Sequence, residues 1–277
     1  MDNQYLDKLH REILDIMDKV DLFCKKHQLQ YYLIGGTLLG AVRHGGFIPW
    51  DDDFDIAMSR EDFNRFIELA ASQFYPGYKL EWITTDPEYY LRFAKICKNN
   101  TKFEEEIGKA VVSDFGIFVD IFPLDRTDGY NRSVEMRRKM SKKLEVMMHL
   151  RREKQFGLKH IIAKSVPNIL LHRMSSGIMS HRYNGSGEYY SNFGSQYKIQ
   201  KQTMPIEWFG NGKRINFEGR QYMAPVCAEK ILTSIFGADY MKLPPKDKRR
   251  THYPLRVSFS DGTEILFEHQ KSKAPIE

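Results

Sequence analysis

The sequence predicts an α/β fold with a mixed sheet and a basic helical insertion. Three observations predict it. Short apolar runs bounded by glycine and proline alternate with amphipathic helical stretches. A Gly35-Gly36 pair separates one such run from a helical turn. A segment rich in Lys and Arg, with apolar residues at helical spacing, interrupts the alternation between about 137 and 173.

Taken in order, residues 3–28 read as an amphipathic helix, with Leu6, Leu9, Ile13, Ile16, Met17, Val20 and Phe23 on one stripe. Tyr31 to Ile34 reads as a short buried strand stopped by Gly35-Gly36, and Thr37 to Val42 as one or two helical turns. Gly45-Gly46 and Pro49 mark a loop, and Asp53 to Met58 a strand. Ser59, with Asp62 three residues on, has the pattern of an N-cap opening a helix to about Ala71. Strands are predicted at Lys79–Ile83, Tyr90–Cys97 and Gly116–Phe122. Two basic amphipathic helices follow, broken near Gly157 and Pro167. After Tyr183, Gly, Ser, Asn and Tyr dominate and read as a loop. Arg214–Phe217 and Gln221–Met223 predict a hairpin around Glu218-Gly219. Ala228–Phe236 reads as a helix ending at Gly237, and Leu255–Phe259 and Glu264–Phe267 as short strands.

The chain has 277 residues, 42% hydrophobic and 13% aromatic, which excludes wholesale disorder and suffices for a sizeable core. Cys24, Cys97 and Cys227 are too few and too far apart for a disulfide scaffold or a zinc knuckle, and read as reduced packing residues. No stretch approaches the ~20 apolar residues of a membrane span. The acidic start, with Asp2, Asp7, Glu12, Asp15 and Asp18, lacks the order of a signal peptide. A cytoplasmic protein is expected.

The net charge is +6. It is unevenly spread: eleven Lys and Arg lie between Arg137 and Arg173 against Glu145 and Glu153, so the segment carries +9 and the remainder −3. Either these helices are ordinary surface helices packed by one face, or they meet an anionic partner such as lipid headgroups or a lipid-linked acceptor. No nucleic-acid signature accompanies the charge, and no nucleic acid is expected as a partner.

The chemistry is concentrated in Leu33–Met58. Asp51, Asp52, Asp53 and Asp55 are four carboxylates in five positions. On a strand, Asp53 and Asp55 share one face while Phe54 and Ile56 enter the core. Two carboxylates at that spacing suit a hard divalent cation, Mg²⁺ or Mn²⁺. An EF-hand is excluded because Ile56 stands where glycine is required, and a P-loop because Gly40-Ala41-Val42 replaces its Gly-Lys-Ser/Thr. Gly35-Gly36 would expose backbone N–H groups at a helix N-terminus, a natural phosphate cradle, with Thr37 either capping the helix or donating to the phosphate.

Gly35-Gly36 followed by Asp53-Phe54-Asp55-Ile56 resembles the nucleotidyltransferase superfamily typified by DNA polymerase beta. More narrowly, GTLLGAVRHGGFIPWDDDFDI resembles the LicD family of phosphotransferases, which includes the fukutin-related proteins. FVDIFPLD (Phe118–Asp125) is similar to the family's second acidic strand, and YMKLPPKDKR (Tyr240–Arg249) to its C-terminal signature. The likeness covers about 28 to 125 and 218 to 252. It implies a polymerase-beta-like core at 1–130, a basic helical insertion at 131–182, and a part at 183–277 that completes the domain.

It also implies transfer of a substituted phosphate from a CDP-linked donor, CDP-choline in the best-known branch, to a sugar hydroxyl of teichoic acid, lipooligosaccharide or capsule. Glycerol-phosphate or ribitol-phosphate transfer and nucleotidyl transfer from an NTP are the alternatives. On this reading Asp53, Asp55 and Asp120 hold Mg²⁺ or Mn²⁺, and Asp120 also orients or deprotonates the acceptor. A lone Asp in the apolar run Val119–Phe122 is costly unless it has such a partner, whereas Asp125 reads as structural. Lys95 and Arg92 would stabilise developing charge, although Lys95 could instead snorkel. Gly35, Gly36, Thr37, Arg43, His44 and His252 are the remaining substrate-binding candidates, and Trp50 reads as packing. The result is an enzyme of the cytoplasm, peripheral to the membrane through 137–173.

Overall fold

The computed structural model describes residues 3–107, 111–153, 157–181, 187–245, 249 and 254–267. It is mixed α/β. Helix α1 (Asn3–His27) buries the predicted stripe, with Leu9, Ile16, Met17 and Val20 at 0% exposure. β1 (Tyr32–Leu33) leads into α2 (Gly35–His44), which is a turn longer than predicted and begins on the glycine pair itself. β2 (Asp55–Ser59) is followed by α3 (Arg60–Gln73), where the Ser59 hydroxyl accepts from the Asp62 N–H at 3.1 Å, as its spacing predicts. β3 (Tyr78–Glu81) and β4 (Ala94–Lys98) are shorter than predicted. β5 (Lys102–Ile107) and β6 (Val111–Phe115) form a hairpin that the sequence did not announce, because the run Glu104–Glu106 masks its strand character.

β7 (Phe118–Thr127) is the central strand and runs past Pro123. Proline is tolerated there because β4 pairs only as far as Ile121 and the next neighbour on that edge begins at Asp125. The basic segment folds as α4 (Arg132–Arg152), α5 (Leu158–Ser165) and α6 (Asn168–Met179), three helices rather than two, with the breaks at Gly157 and Pro167 as predicted. The stretch read as a loop contains β8 (Tyr189–Ser191), β9 (Thr203–Pro205) and α7 (Ile206–Phe209). β10 (Lys213–Phe217) and β11 (Arg220–Ala224) form the predicted hairpin, with Glu218 and Gly219 both at positive φ. Helix α8 (Ala228–Phe236) and the strands β12 (Arg256–Ser258) and β13 (Glu264–Leu266) also match.

The main sheet has the order β1-β2-β7-β4-β3, extended from β7 by β8 and β9. β2 and β7 are parallel and the other pairs antiparallel, so the sheet is mixed as predicted. The second sheet, β13-β12-β5-β6, is antiparallel and joins the C-terminal strands to the unforeseen hairpin. The three cysteines are unpaired, with Cys24 and Cys97 buried. Among the described residues, no helix is long and apolar enough to cross a membrane.

The basic segment is not a uniformly exposed cationic face. Arg137 and Arg138 are buried and donate to the carbonyls of Ile178 and Met179 and of Phe193 and Ser195. Arg151 donates to the carbonyls of Ala163 and Val166, and Arg152 to that of Glu88. A guanidinium can close several carbonyls at once, and four of the eleven cations of the segment are used in this way.

The acids of α1 have a structural role. Glu12, Asp15, Asp18 and Asp21 recur every three residues and wind around half of the helix. They bind Lys98, Tyr78, Arg220, Tyr222, Tyr31 and Arg214 from the sheet and the β10–β11 hairpin. Asp21 is buried, with Lys25 at 2.6 Å and Tyr31 and Arg214 at 2.7 Å. Burial alone would raise its carboxyl, but the bonds from Lys25, Tyr31 and Arg214 outweigh it and hold the pKa below its ordinary value. A depressed folded pKa gives stability that is complete above the unfolded value, about 3.9, and lost as pH falls through the folded one. Asp21→Asn is therefore expected to cost about 1.5–3 kcal/mol at neutral pH. In thermal melts the gap to the parent should narrow below about pH 4.

Candidate active site

Three adjacent strands build the site. β2 and β7 run parallel with Asp55 paired in register to Asp120, and β4 runs antiparallel with Lys95 paired to the same Asp120. Register partners point to the same side of a sheet, so Asp55, Asp120 and Lys95 form one row across it. Their chain neighbours Phe54, Ile56, Val119, Ile121, Ala94 and Ile96 are all 0% exposed. The Lys95 Nζ lies 2.6 Å from Asp120 Oδ1 and 3.2 Å from the centre of the Phe118 ring. Lys95 is buried, so it does not snorkel; it offsets the charge of one carboxylate. Asp53 precedes β2 rather than opening it, yet the alternation holds: Asp53 is partly exposed and Phe54 buried.

The glycine pair meets the acids directly. Gly35 has φ +55°, and a Cβ there would lie 3.2 Å from Asp55 Oδ2. A Cβ at Gly36 would lie 2.8 Å from Asp51 Oδ2, closer than side chains pack. Glycine is thus required to seat two carboxylates against the start of α2, whose positive dipole end favours them. Thr37 does not cap the helix; its Oγ1 accepts the Asp55 N–H at 2.8 Å and ties α2 to β2. His10 supports the same loop from α1, with its Nε2 2.7 Å from the Asp51 carbonyl oxygen and its ring stacked on Phe47. Glu218, at the tip of the β10–β11 hairpin, donates its N–H to the Gly45 carbonyl at 2.8 Å and accepts from the Phe47 N–H at 3.1 Å. The distant C-terminal hairpin therefore braces the loop that carries the acids.

Two residues absent from the sequence-derived set join the cluster. Asp51 is one, through Gly36. Tyr197 is the other: burial, then the charges of Asp55, Asp53 and Asp51, push its phenol up to about 12. Its ring packs edge-on to Phe236. Tyr197 lies in a Ser- and Tyr-rich stretch with no motif, so no sequence signal marked it.

The other expected residues are placed differently. Arg92 is not brought to the acids: it is buried, with Glu145 at 2.9 Å, Ser141 Oγ at 3.1 Å and the Phe193 carbonyl at 2.7 Å, and it anchors α4. Arg43 donates to the Tyr240 carbonyl at 2.9 Å, joining α2 to the C-terminal signature. Burial lowers its pKa, with Asp51 opposing and Arg249 adding to the shift, so it also sits near the acidic loop. His44 is exposed, and burial followed by the neighbouring Arg43 lowers its pKa. Trp50 packs against the core as predicted and carries the Arg249 guanidinium 4.5 Å above its ring. Asp125 is the structural acid expected, gripped through both oxygens by Arg60 at 2.8 Å. His252 lies outside the described residues.

Among the described residues, no three His, Cys, Asp or Glu side chains are already arranged as a metal cage. The donor set is nevertheless carboxylate oxygen throughout, which fits a hard cation in chemistry. The row can present negative charge to such an ion, a cation to a phosphate, and a carboxylate to a hydroxyl.

The family profile described as LicD/FKTN/FKRP, nucleotidyltransferase domain, matches residues 28–159. The chain is 29% identical over 255 residues to the lipopolysaccharide cholinephosphotransferase LicD of Haemophilus influenzae, covering 87% of this chain and 92% of that protein. An uncharacterised protein of Rickettsia typhi is 35% identical over 119 residues, 43% of this chain and 36% of the relative. The ribitol 5-phosphate transferase FKRP of Homo sapiens is 44% identical over 45 residues, 16% of this chain and 9% of the relative.

Proposed function

From the match of residues 28–159 to the LicD/FKTN/FKRP nucleotidyltransferase-domain profile, we propose that the protein transfers phosphocholine from CDP-choline to a sugar hydroxyl of a cell-surface glycan. The nearly full-length likeness to a cholinephosphotransferase supports this reading. The observation that carries it is the register of Asp55 with Asp120 on parallel strands, next to a glycine that abuts Asp55. On this reading 1–130 is a polymerase-beta-like catalytic core, 131–182 an insertion, and 183–277 completes the domain by adding β8 to β7. The enzyme is cytoplasmic.

Asp53, Asp55 and Asp120 are the residues that would hold Mg²⁺ or Mn²⁺. Such an ion, when bound, offsets the charge of a diphosphate and of its leaving group. Asp120 orients the acceptor hydroxyl and takes its proton as the new phosphorus–oxygen bond forms and the bond to CMP breaks. Lys95 keeps Asp120 in place and supplies positive charge beside the transferred phosphoryl. The opening turn of α2 contributes backbone N–H groups to the diphosphate, and Gly35 and Gly36 leave room for Asp55 and Asp51 beside it. Arg43 ties the start of the C-terminal signature to α2 through the Tyr240 carbonyl. Tyr197, the aromatic residue whose phenol feels the charge of all three acids, is the candidate to receive the cationic choline headgroup. His44 and His252 have no assigned step.

The likeness to a ribitol 5-phosphate transferase favours ribitol phosphate as the second reading. A panel of CDP-choline, CDP-glycerol and CDP-ribitol with Mg²⁺ separates the two by CMP release. CDP-choline is expected to be turned over fastest, and Tyr197→Ala to raise its KM by roughly tenfold, on the order of one desolvated cation–π contact. Preference for CDP-ribitol, with KM unmoved by the substitution, would replace phosphocholine with ribitol phosphate.

A further inference from the structure

With Arg137 and Arg138 of α4 buried, α5 and α6 carry a large share of the outward apolar surface of the insertion, beside Met136, Met140 and Val146 of α4. Leu158, Ile161 and Ile162 line the outside of α5 at 74%, 61% and 51% exposure, and Ile169, Leu170 and Met174 the outside of α6 at 40%, 46% and 47%. The inward sides are occupied: Ala163, Leu171, Ser175 and Met179 are buried, and Asn168 and His172 bond to the Tyr89 carbonyl at 2.8 Å. The exposed apolar surface is therefore not a core face left open by poor docking. Two helices are held by their inner sides and present Leu, Ile and Met to the outside.

The charges on these two helices have one sign, and the flanking acids Asp86 and Glu88 are paired with Arg152 and Arg151. Lys159, Lys164 and Arg173 are exposed among the apolar residues, and 157–181 contains no Asp or Glu. Glu153, at the end of α4, is engaged by His160 at 2.8 Å. At 8 and 12 residues, neither helix can cross a bilayer. Apolar side chains ringed by cations on helices too short to span are the pattern of an interfacial helix. A second copy of the same face would set the lysines of α5 and α6 against one another with no carboxylate on either helix, whereas anionic headgroups supply the complementary charge.

We propose that the α5–α6 pair lies on an anionic bilayer, its leucine, isoleucine and methionine side chains in the headgroup boundary and Lys159, Lys164 and Arg173 on lipid phosphates. The surface is preformed by the fold, so little ordering accompanies binding.

Sedimentation with vesicles tests this on the full chain. Phosphatidylcholine vesicles containing phosphatidylglycerol should pellet the protein at low salt and release it at high salt, and vesicles of phosphatidylcholine alone should pellet far less. Each basic residue contributes roughly fivefold to partitioning, so Lys159→Glu/Arg173→Glu should weaken binding by more than tenfold. Leu158→Ser/Ile162→Ser should weaken it comparably while CMP release from CDP-choline and the melting temperature stay unchanged, because neither pair touches the acidic row. Failure of the parent to bind anionic vesicles, or binding indifferent to both double variants, would overturn the proposal. So would a concentration-dependent dimer abolished by Leu158→Ser/Ile162→Ser, which would make the face a self-interface.

Discussion

Asp55→Asn and Asp120→Asn are each expected to lower turnover by at least about 10³-fold, some 4 kcal/mol of transition-state stabilisation. The two positions are register partners at the centre of the sheet, so one missing charge affects ion holding and acceptor positioning together. Effects within such a unit do not add, and the double variant should be little worse than either single one. Asparagine keeps the shape of the side chain: the melting temperature of Asp55→Asn should hold or rise as clustered charge is relieved, whereas Asp120→Asn leaves the buried Lys95 ammonium without its carboxylate and should melt lower. Binding of Mn²⁺, followed by its paramagnetic resonance signal, should weaken in both. Full activity in Asp55→Asn would remove the acidic row from the mechanism.

Lys95→Met is expected to act on stability and on catalysis. The ammonium is buried 2.6 Å from Asp120 and rests on Phe118, and methionine refills most of the apolar volume without the charge. Removing one partner of a buried pair typically costs about 3–5 kcal/mol. Turnover should fall by about 10²-fold, in line with loss of one charge-stabilising donor. A distinctive readout is that added Mg²⁺ should raise the melting temperature of Lys95→Met more than that of the parent, because the ion then supplies positive charge that Lys95 no longer provides. A variant that melts lower but keeps its turnover would leave Lys95 with a purely structural role.

The parts of the fold legible in the sequence were those with local signatures. The α1 stripe, the Ser59 cap, the Glu218-Gly219 turn and α8 matched because periodicity, capping and turn chemistry act over a few residues. The acidic strand was legible because Phe54 and Ile56 alternate with Asp53 and Asp55. What the residues alone did not carry is register. That Asp120 faces Asp55, and Lys95 faces Asp120, depends on pairings across 65 and 25 positions of chain, and only the family resemblance pointed to Asp120. The β5–β6 hairpin was missed because it gains its partner, β12, from about 150 residues away. Arg92 was misread because Lys95 and Arg92 look equivalent three residues apart. One lies on β4 facing the row, while the other precedes the strand and is taken up by Glu145 on α4. Charge counting failed on α4 for the same reason: an arginine donating to buried carbonyls counts in the net charge but adds little to the surface.

The central claim is that the Asp53, Asp55 and Asp120 row serves transfer of an intact phosphate-linked group. It is tested most directly by following both products at once. The protein is incubated with CDP-choline, Mg²⁺ and a glycan acceptor, and CMP and glycan mass are read by mass spectrometry. The account predicts one phosphocholine added to glycan for each CMP released, with both products absent in Asp55→Asn. Pyrophosphate release from an NTP, with no CMP from any CDP-alcohol, would contradict it.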